Sequence, residues 1–166
     1  PLAKWTSDVE EPDYPLRVMS NHPRFRFHVQ GDDVDWIREI AKVPGPDGYL
    51  YEPCWIHPTD AAPRGIGPGD IVMVHNARGA VLVGAVVTQR IIPGALSIDH
   101  GAKIDLATLN HRPIDRGGCI NLISSSLSEK YGAGAEVLIP EMNVSGFLVE
   151  AEKINVWDIV AGSDGR

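Results

Sequence analysis

Two apolar runs, at residues 71–75 and 80–87, follow a Gly-Pro-Gly-Asp corner at residues 67–70. The glycines of the corner permit positive φ angles, and the Asp70 side chain can bond the amides of its own loop and so fix the turn. Between the runs lies Asn-Ala-Arg-Gly at residues 76–79, a polar link ending in Gly that is typical of a β-hairpin. The segment therefore predicts a tight corner that leads directly into paired strands at residues 70–75 and 80–87.

The rest of the chain also favours short strands joined by turns. Further strand candidates lie at residues 16–20, 51–56, 95–98 and 147–153, whereas residues 102–118 are charged and predict irregular structure. Apolar residues at helical spacing predict one helix near residues 34–41, and Pro58 predicts a short helix at residues 58–64 with Thr59 and Asp60 in its first turn. With 13 Pro and 17 Gly spread along the chain, the prediction is a mostly-β barrel with short peripheral helices.

The 166 residues suffice for one domain with a real core. Residues 1–15 are polar, acidic and bounded by Pro, which predicts an entry linker, and residues 161–166 predict a tail after a single domain at residues 16–160. The longest apolar run, at residues 80–87, is too short to span a bilayer. A net charge of −7 argues against nucleic acid as a partner, because phosphate backbones recruit basic surfaces.

Neither the cysteines nor the histidines predict a catalytic or metal centre. Cys54 and Cys119 have apolar neighbours, which predicts buried structural thiols, and two cysteines cannot form a zinc or iron–sulfur site alone. No two of the six histidines have the spacing that presents a pair on one helix or strand. The serines at residues 124–126 lack a nucleophile-elbow sequence. We therefore expect no protein-only metal site and no catalytic residue, so that the chain alone is catalytically silent.

Four polar sets lie in predicted loops, three of them directly after predicted strands, where a barrel presents ligand groups. They are residues 21–30 with Arg26, His28 and Gln30; His-Pro-Thr-Asp-Ala at residues 57–61; Asp-His-Gly at residues 99–101; and Gly-Gly-Cys-Ile-Asn at residues 117–121. Two of these sets also have a simpler interpretation. Residues 21–30 could form an amphipathic strand with Phe25 and Phe27 inward, and Asp60 could satisfy free amides in the first turn of a helix.

These four sets, in this order, resemble the C-terminal molybdopterin-dinucleotide-binding domain of the dimethyl-sulfoxide-reductase family of molybdenum and tungsten enzymes. The resemblance covers roughly residues 16–153 and implies a double-psi β-barrel. It departs from the family pattern at His57, where many relatives have Asn, and at Ser124, which replaces the usual Thr. After residue 124 the sequence differs from the short segment that typically ends the family pattern. The resemblance supports the assignment of residue roles least in this region.

The resemblance implies cofactor contacts for six residues. Arg26, His28 and Gln30 are expected to reach the pterin and its phosphates, and His100 and Asn121 are expected near the pterin. Asp60 is expected to read the guanine, because a carboxylate accepts two parallel N–H bonds from the guanine edge and adenine offers no matching donor pair.

By this resemblance the chain is one piece of a larger enzyme that holds bis(molybdopterin guanine dinucleotide) with molybdenum or tungsten. The expected partners are the remaining domains of the parent catalytic subunit, with an iron–sulfur subunit as a further option, and no membrane span is expected. The sequence leaves the compartment open and favours the cytoplasm over the periplasm. The stretch from residue 99 to residue 118 is most similar to the branch that contains the pyrogallol–phloroglucinol transhydroxylase large subunit, which implies hydroxyl transfer between phenolic rings.

Two rival interpretations stay open on the sequence alone. One is an independent double-psi-barrel enzyme of the aspartate-decarboxylase type, which forms its catalytic group by cleaving a Gly-Ser bond before a strand. The Gly-Ser pair of this chain, Gly162-Ser163, lies in the tail instead. The other is a non-catalytic interaction or substrate-recognition module, which would explain an acidic linker without an active site but leaves the Asp60 and Asn121 loops unexplained.

Overall fold

The computed structural model describes residues 13–124 and 147–161, and most of the predicted linker and tail lies outside these ranges. Two short helices, α1 (Asp35–Ala41) and α2 (Pro58–Ala61), and 3-10 turns at Ala62–Arg64, Ile120–Leu122 and Val156–Asp158 accompany a set of strands. The strands are β1 (Leu16–Met19), β2 (Val43–Pro44), β3 (Leu50–Tyr51), β4 (Pro53–Ile56), β5 (Ile71–His75), β6 (Ala80–Val87), β7 (Ala95–Ile98), β8 (Leu106–Leu109), β9 (Arg112–Asp115), β10 (Phe147–Lys153) and β11 (Ile159–Ala161). The predicted domain boundaries stay predictions.

Six strands close into a barrel. The sheet runs β6-β4-β7-β1-β10-β5, and β5 pairs with β6 to complete the circle. The pairs β1–β7 and β4–β6 are parallel, and the other neighbours in the circle are antiparallel. The hairpin predicted from residues 70–87 is the β5–β6 pair, with Val72 opposite Val83. The mostly-β double-psi barrel with short peripheral helices is thereby confirmed.

The barrel interior is the main hydrophobic core. It is formed by the inward side chains of the barrel strands together with residues of the α2 turn and the 3-10 turn after β9. Val18, Val74, Val83, Leu96 and Ile98 are fully inaccessible to solvent. Burial of one such side chain typically contributes about 1.5–3 kcal/mol, so the closed barrel is a rigid base for its loops. Cys54 lies in this core as a free thiol, as predicted, and burial raises its pKa to about 12.

The prediction of irregular structure at residues 102–118 was wrong for residues 106–115, because β8 and β9 form an antiparallel hairpin there. Asn110 and His111 form its two-residue turn with φ values of 50° and 63°, which is the mirror-image turn that suits twisted strands. Arg112, Pro113 and Asp115 obscure the alternation of apolar and polar residues in β9. The β9 strand joins β6 through Val81 and Asp115, and β11 pairs with β8, so this unit packs a second, smaller core against the barrel.

The segment that precedes β2 carries unusual exposed apolar surface. Helix α1 forms where predicted, with Val34 as its N-cap residue. Its Trp36 and Ile40 are 66% and 56% exposed, and Phe27 and Val29 in the preceding loop are 68% and 50% exposed. Apolar side chains exposed to this degree along one segment are typical of a surface that another part of a protein covers. Among the described residues, no helix has the length and apolarity needed to cross a membrane.

Candidate functional site

Three loops enclose a cleft of about 530 Å³ at one end of the barrel. The cleft is lined by residues 28–29, residues 100–104 and residues 119–121. These loops follow β1, β7 and β9, so they meet only because β1 pairs with β7 in parallel and β9 is joined to the barrel through β6. The cleft collects three of the six predicted site residues, His28, His100 and Asn121, and the volume lies in the usual range for a small-molecule site, about 300–1,000 Å³.

Three histidine rings lie side by side at this cleft. The His28 Nδ1 and His100 Nε2 atoms are 2.8 Å apart, and the His22 ring centroid lies 4.9 Å from that of His28 and 5.1 Å from that of His100. A nitrogen pair at this distance shares one proton, since one ring must donate and the other accept. Burial lowers the pKa of His100, and the neighbouring His22, His28 and Arg26 lower it further. The pair therefore offers a directional donor and acceptor at the cleft.

Gly101 allows the two histidine loops to meet. Its φ is +89°, and a Cβ atom at this position would overlap the His28 carbonyl group and lie 2.8 Å from the His28 Cα. No side chain fits between the two backbones, so glycine is required both by the conformation and by the close approach. The contact sets the distance between His28 and His100 and thus the shape of the cleft.

A cluster of four buried charges lies beneath the histidines. Arg26 Nη1 donates to Asp32 Oδ1 at 2.9 Å and to Glu52 Oε1 at 2.5 Å, and Lys42 Nζ bonds the same two oxygens. All four side chains are between 0% and 2% exposed. Two cations balance two anions, which is the condition under which charges can be buried in a protein interior. Burial alone would raise the pKa of Asp32, but the Lys103 amide, Lys42 and Arg26 outweigh it and lower the pKa.

This cluster contradicts the alternative interpretation of residues 21–30 as an amphipathic strand with Phe27 inward. Phe27 is 68% exposed, and Arg26 is the buried residue of the pair. The alternation of apolar and polar residues predicted the wrong buried face, because the carboxylates of Asp32 and Glu52 hold the Arg26 guanidinium in the interior. Whether Arg26 also contacts a cofactor stays a prediction.

Asp115 organises the third loop of the cleft. Its carboxylate accepts hydrogen bonds from the amides of Asp105 (2.7 Å), Gly117 (3.0 Å) and Cys119 (2.6 Å). Burial nevertheless raises the pKa of Asp115. The fixed loop places Asn121 at the cleft, and the buried Cys119 is a free thiol whose pKa is raised chiefly by burial.

Asp60 lies at a different place from the histidines. Its Oδ2 accepts the Gly94 amide at 2.7 Å, just before β7 begins, while His100 follows the other end of β7. The four residues of β7 span about 13 Å, so the Asp60 end of the surface and the cleft lie at opposite ends of this strand. The alternative role of Asp60 was to satisfy free amides in the first turn of its own helix. Asp60 accepts the Gly94 amide instead, and His57 caps α2 by accepting the Thr59 amide.

Arg64 and Glu150 support the Asp60 turn. Arg64 Nη1 donates to the Asp60 carbonyl at 2.9 Å, while its Nε and Nη2 donate to the two Glu150 oxygens at 2.6 and 3.1 Å. Burial would raise the pKa of Glu150, but hydrogen bonds from Arg64 and from the Ala151 amide, with the charges of Arg64 and His75, lower it. The ion pair therefore ties α2 to β10 most strongly when Glu150 is ionised.

We expect Glu150→Gln to reduce the free energy of unfolding by about 1 kcal/mol near neutral pH. A carboxyl with a lowered folded-state pKa stabilises the fold above its usual value of 4.5, and the contribution disappears as the pH falls through the folded-state value. The difference between wild type and variant, measured by chemical denaturation, should therefore shrink below pH 4.5. Glu152→Gln, at a more exposed carboxylate of the same strand, is the control; an equal, pH-independent loss in both variants would contradict the expectation.

The sequence did not predict several residues of the site, and one predicted residue, Gln30, does not line the cleft. Asp32, Lys42 and Glu52 form the buried cluster, yet only Glu52 had a signal, as a charged residue between the strand residues Tyr51 and Pro53. Gln30 is exposed, and its amide closes a turn with the Phe27 carbonyl at 3.0 Å. The six cofactor contacts implied by the resemblance stay predictions. Within residues 13–124 and 147–161, no group of three or more His, Cys, Asp or Glu is arranged to hold a metal ion.

Comparison with known proteins gives a consistent result. The family model described as "Molydopterin dinucleotide binding domain" matches residues 16–137. The chain is 40% identical over 112 residues to the dimethyl sulfoxide/trimethylamine N-oxide reductase of Cereibacter sphaeroides, covering 67% of this chain and 13% of that protein. It is 35% identical over 161 residues to the pyrogallol hydroxytransferase large subunit of Pelobacter acidigallici, covering 93% of this chain and 17% of the relative.

A solved structure supports the fold. Acetylene hydratase from Pelobacter acetylenicus superposes with a TM-score of 0.57 at 15% identity, over 87% of this chain and 19% of that one. This likeness concerns the fold alone. The chain spans less than a fifth of the length of each of these proteins.

Proposed function

Because the chain belongs to the molybdopterin dinucleotide-binding domain family, we propose that it closes over bis(molybdopterin guanine dinucleotide) within a larger molybdenum or tungsten enzyme. The histidine cleft takes the pterin part, and the Asp60 turn takes the guanine part. When bound, the cofactor supplies the redox-active metal, while the protein supplies binding and orientation. This chain contributes no catalytic side chain to that reaction.

The observation that carries the proposal is the cleft formed by His28, His100 and Asn121. Imidazole and carboxamide groups both donate and accept hydrogen bonds, which suits the mixed donor and acceptor edges of a pterin. The cleft of about 530 Å³ is large enough for fused rings, and its backbone is fixed by the Gly101 contact. The described residues therefore fit the group that the family binds.

The separation of the two ends supports the same proposal. A dinucleotide cofactor carries its pterin and its guanine at opposite ends of a pyrophosphate link. On this chain, the His100 cleft and the Asp60 turn lie at opposite ends of β7, a strand about 13 Å long. One extended ligand can thus reach both.

The parent enzyme is proposed to be an oxidoreductase or a phenolic transhydroxylase. The reductase of Cereibacter sphaeroides and the hydroxytransferase of Pelobacter acidigallici support these two options. The remaining domains of the parent subunit are the proposed partners. Exposed apolar residues near α1, including Phe27, Trp36 and Ile40, are where we place their contact. An iron–sulfur subunit would be a further partner.

The native polypeptide tests the proposal directly. We expect an antibody against this domain to recover a chain several times larger than 18.0 kDa that carries molybdenum or tungsten and releases GMP on acid hydrolysis. Assays of sulfoxide or N-oxide reduction and of hydroxyl transfer between phenols would then assign the parent activity. A native product of about this size with neither metal nor nucleotide would refute the proposal and favour an interaction module.

Asp60→Asn tests the guanine contact. The amide can still accept the Gly94 N–H, but it loses one acceptor and its charge, so we expect the GMP content of the purified polypeptide to fall at least about tenfold. Asp70→Asn is the matched control, because Asp70 accepts the Gly67 amide at 2.7 Å in a loop of similar kind. Equal GMP loss in both variants, or full retention in Asp60→Asn, would rule out guanine recognition by Asp60.

A further inference from the structure

Arg26 joins the buried charge cluster to the His100 loop of the cleft. Its Nη1 is bound to the carboxylates of Asp32 and Glu52, and its Nε and Nη2 donate to the His100 carbonyl at 3.3 and 3.1 Å. The side chain of Arg26 is 0% exposed. The guanidinium thus faces protein acceptors on both of its sides rather than the open cleft.

From this geometry we infer that Arg26 is a positioning residue, which holds the His100 loop in place through the His100 carbonyl and does not contact the ligand. The inference rests on the proposed function of the cleft and deepens it. It also replaces the direct phosphate contact that the family resemblance implies for Arg26.

The cluster holds the loop at more than one point. The His100 amide donates to the Asn21 carbonyl at 2.7 Å, the His100 carbonyl accepts from Arg26, and the Lys103 amide donates to Asp32 Oδ2 at 2.8 Å. Arg26 and Asp32 are themselves paired, so both ends of residues 100–103 attach to one buried unit. The His100 ring is thereby held against His28 before any ligand binds.

The chemistry of arginine explains why this residue suits the position. A planar guanidinium can direct some N–H groups to carboxylates and others to a carbonyl on its far side, all in one plane. Lysine presents a single nitrogen on a flexible stem. It could neutralise the carboxylates, but its one ammonium group could not also reach across to the His100 carbonyl.

Arg26→Lys in the full chain without ligand tests the inference. The cluster keeps its charge balance, so the barrel should stay folded, while the His100 amide should exchange with deuterium about tenfold faster. Amides of β6 should exchange at the wild-type rate. In a histidine NMR titration, the midpoint of His100 should move upward, because a loosened loop removes the burial and the His28 contact that lower its pKa.

Arg64→Lys is the matched control, because it makes the same chemical change at another ion-paired arginine, and it should leave His100 exchange and titration unchanged. Unchanged His100 behaviour in Arg26→Lys would overturn the inference, as would equal acceleration in β6, which would indicate general destabilisation. Since these measurements need no cofactor, they are independent of the proposed function. A native polypeptide without metal or GMP would refute that function and leave the exchange result standing.

Discussion

Replacing Arg26 with methionine is expected to lower the free energy of unfolding by about 3–5 kcal/mol, because it leaves two buried carboxylates with a single cation. For a chain of this size the loss corresponds to a fall in Tm of roughly 10 °C. The side chains of Asp32, Lys42 and Glu52 are at most 2% exposed, so water cannot compensate the unpaired charge. Thermal and chemical denaturation at neutral pH measure the effect.

A second substitution separates charge from packing. The double variant Arg26→Met/Glu52→Gln restores neutrality, since Lys42 and Asp32 remain as one pair. We expect it to be more stable than Arg26→Met alone, although the single Glu52→Gln change by itself should destabilise. If the double variant lost the sum of the two single losses, the charge balance of the cluster would not be the cause. A loss under about 1 kcal/mol in Arg26→Met would mean that the cluster is hydrated.

The second large effect is expected for Gly101→Ala, at about 2–5 kcal/mol. The new methyl group would overlap the carbonyl group of His28 at a φ of +89°, so the backbone of one loop must move away from the other. This movement would break the hydrogen bond of 2.8 Å between His28 and His100 and open the cleft. Denaturation measures the stability loss, and the ring ¹⁵N shifts of the two histidines report the broken pair.

Gly48→Ala is the matched control for the backbone conformation. Gly48 has a φ of +80°, yet a Cβ atom there would meet nothing within 4 Å. Its substitution should therefore cost only the conformational strain, about 1–2 kcal/mol, and leave the histidines unchanged. Equal losses at residues 48 and 101 would show that the contact with His28 contributes nothing.

Much of the barrel could be predicted from local sequence. The Gly-Pro-Gly-Asp corner and the Asn-Ala-Arg-Gly link place β5 and β6, and the Pro-Gly pair places β7 at Ala95–Ile98, because turn residues act on the chain next to them. Pro58 marks the start of α2 for the same reason. The β8–β9 hairpin was missed, since the strand after its Asn110-His111 turn, Arg-Pro-Ile-Asp, carries charged residues and a proline, and each strand has only four residues.

The site was predictable only in its residue types. The resemblance pointed to His28, His100 and Asn121, and the structure brings these three to one cleft. No spacing rule could find the histidine group, because His22 and His100 are adjacent only after β1 and β7 have paired in parallel. Likewise, alternation suggested that Phe27 is inside and Arg26 outside, and the structure has the reverse.

The sequence by itself therefore determined the six barrel strands and the family of this domain, since propensities and turn chemistry are properties of neighbouring residues. Only the tertiary structure decided which face of residues 25–30 is buried. A buried arginine is favourable only where Asp32 and Glu52, brought from other segments, neutralise it and the His100 carbonyl accepts its remaining N–H groups. That energy exists only in the closed barrel, because in the extended chain each of these charges is better solvated by water.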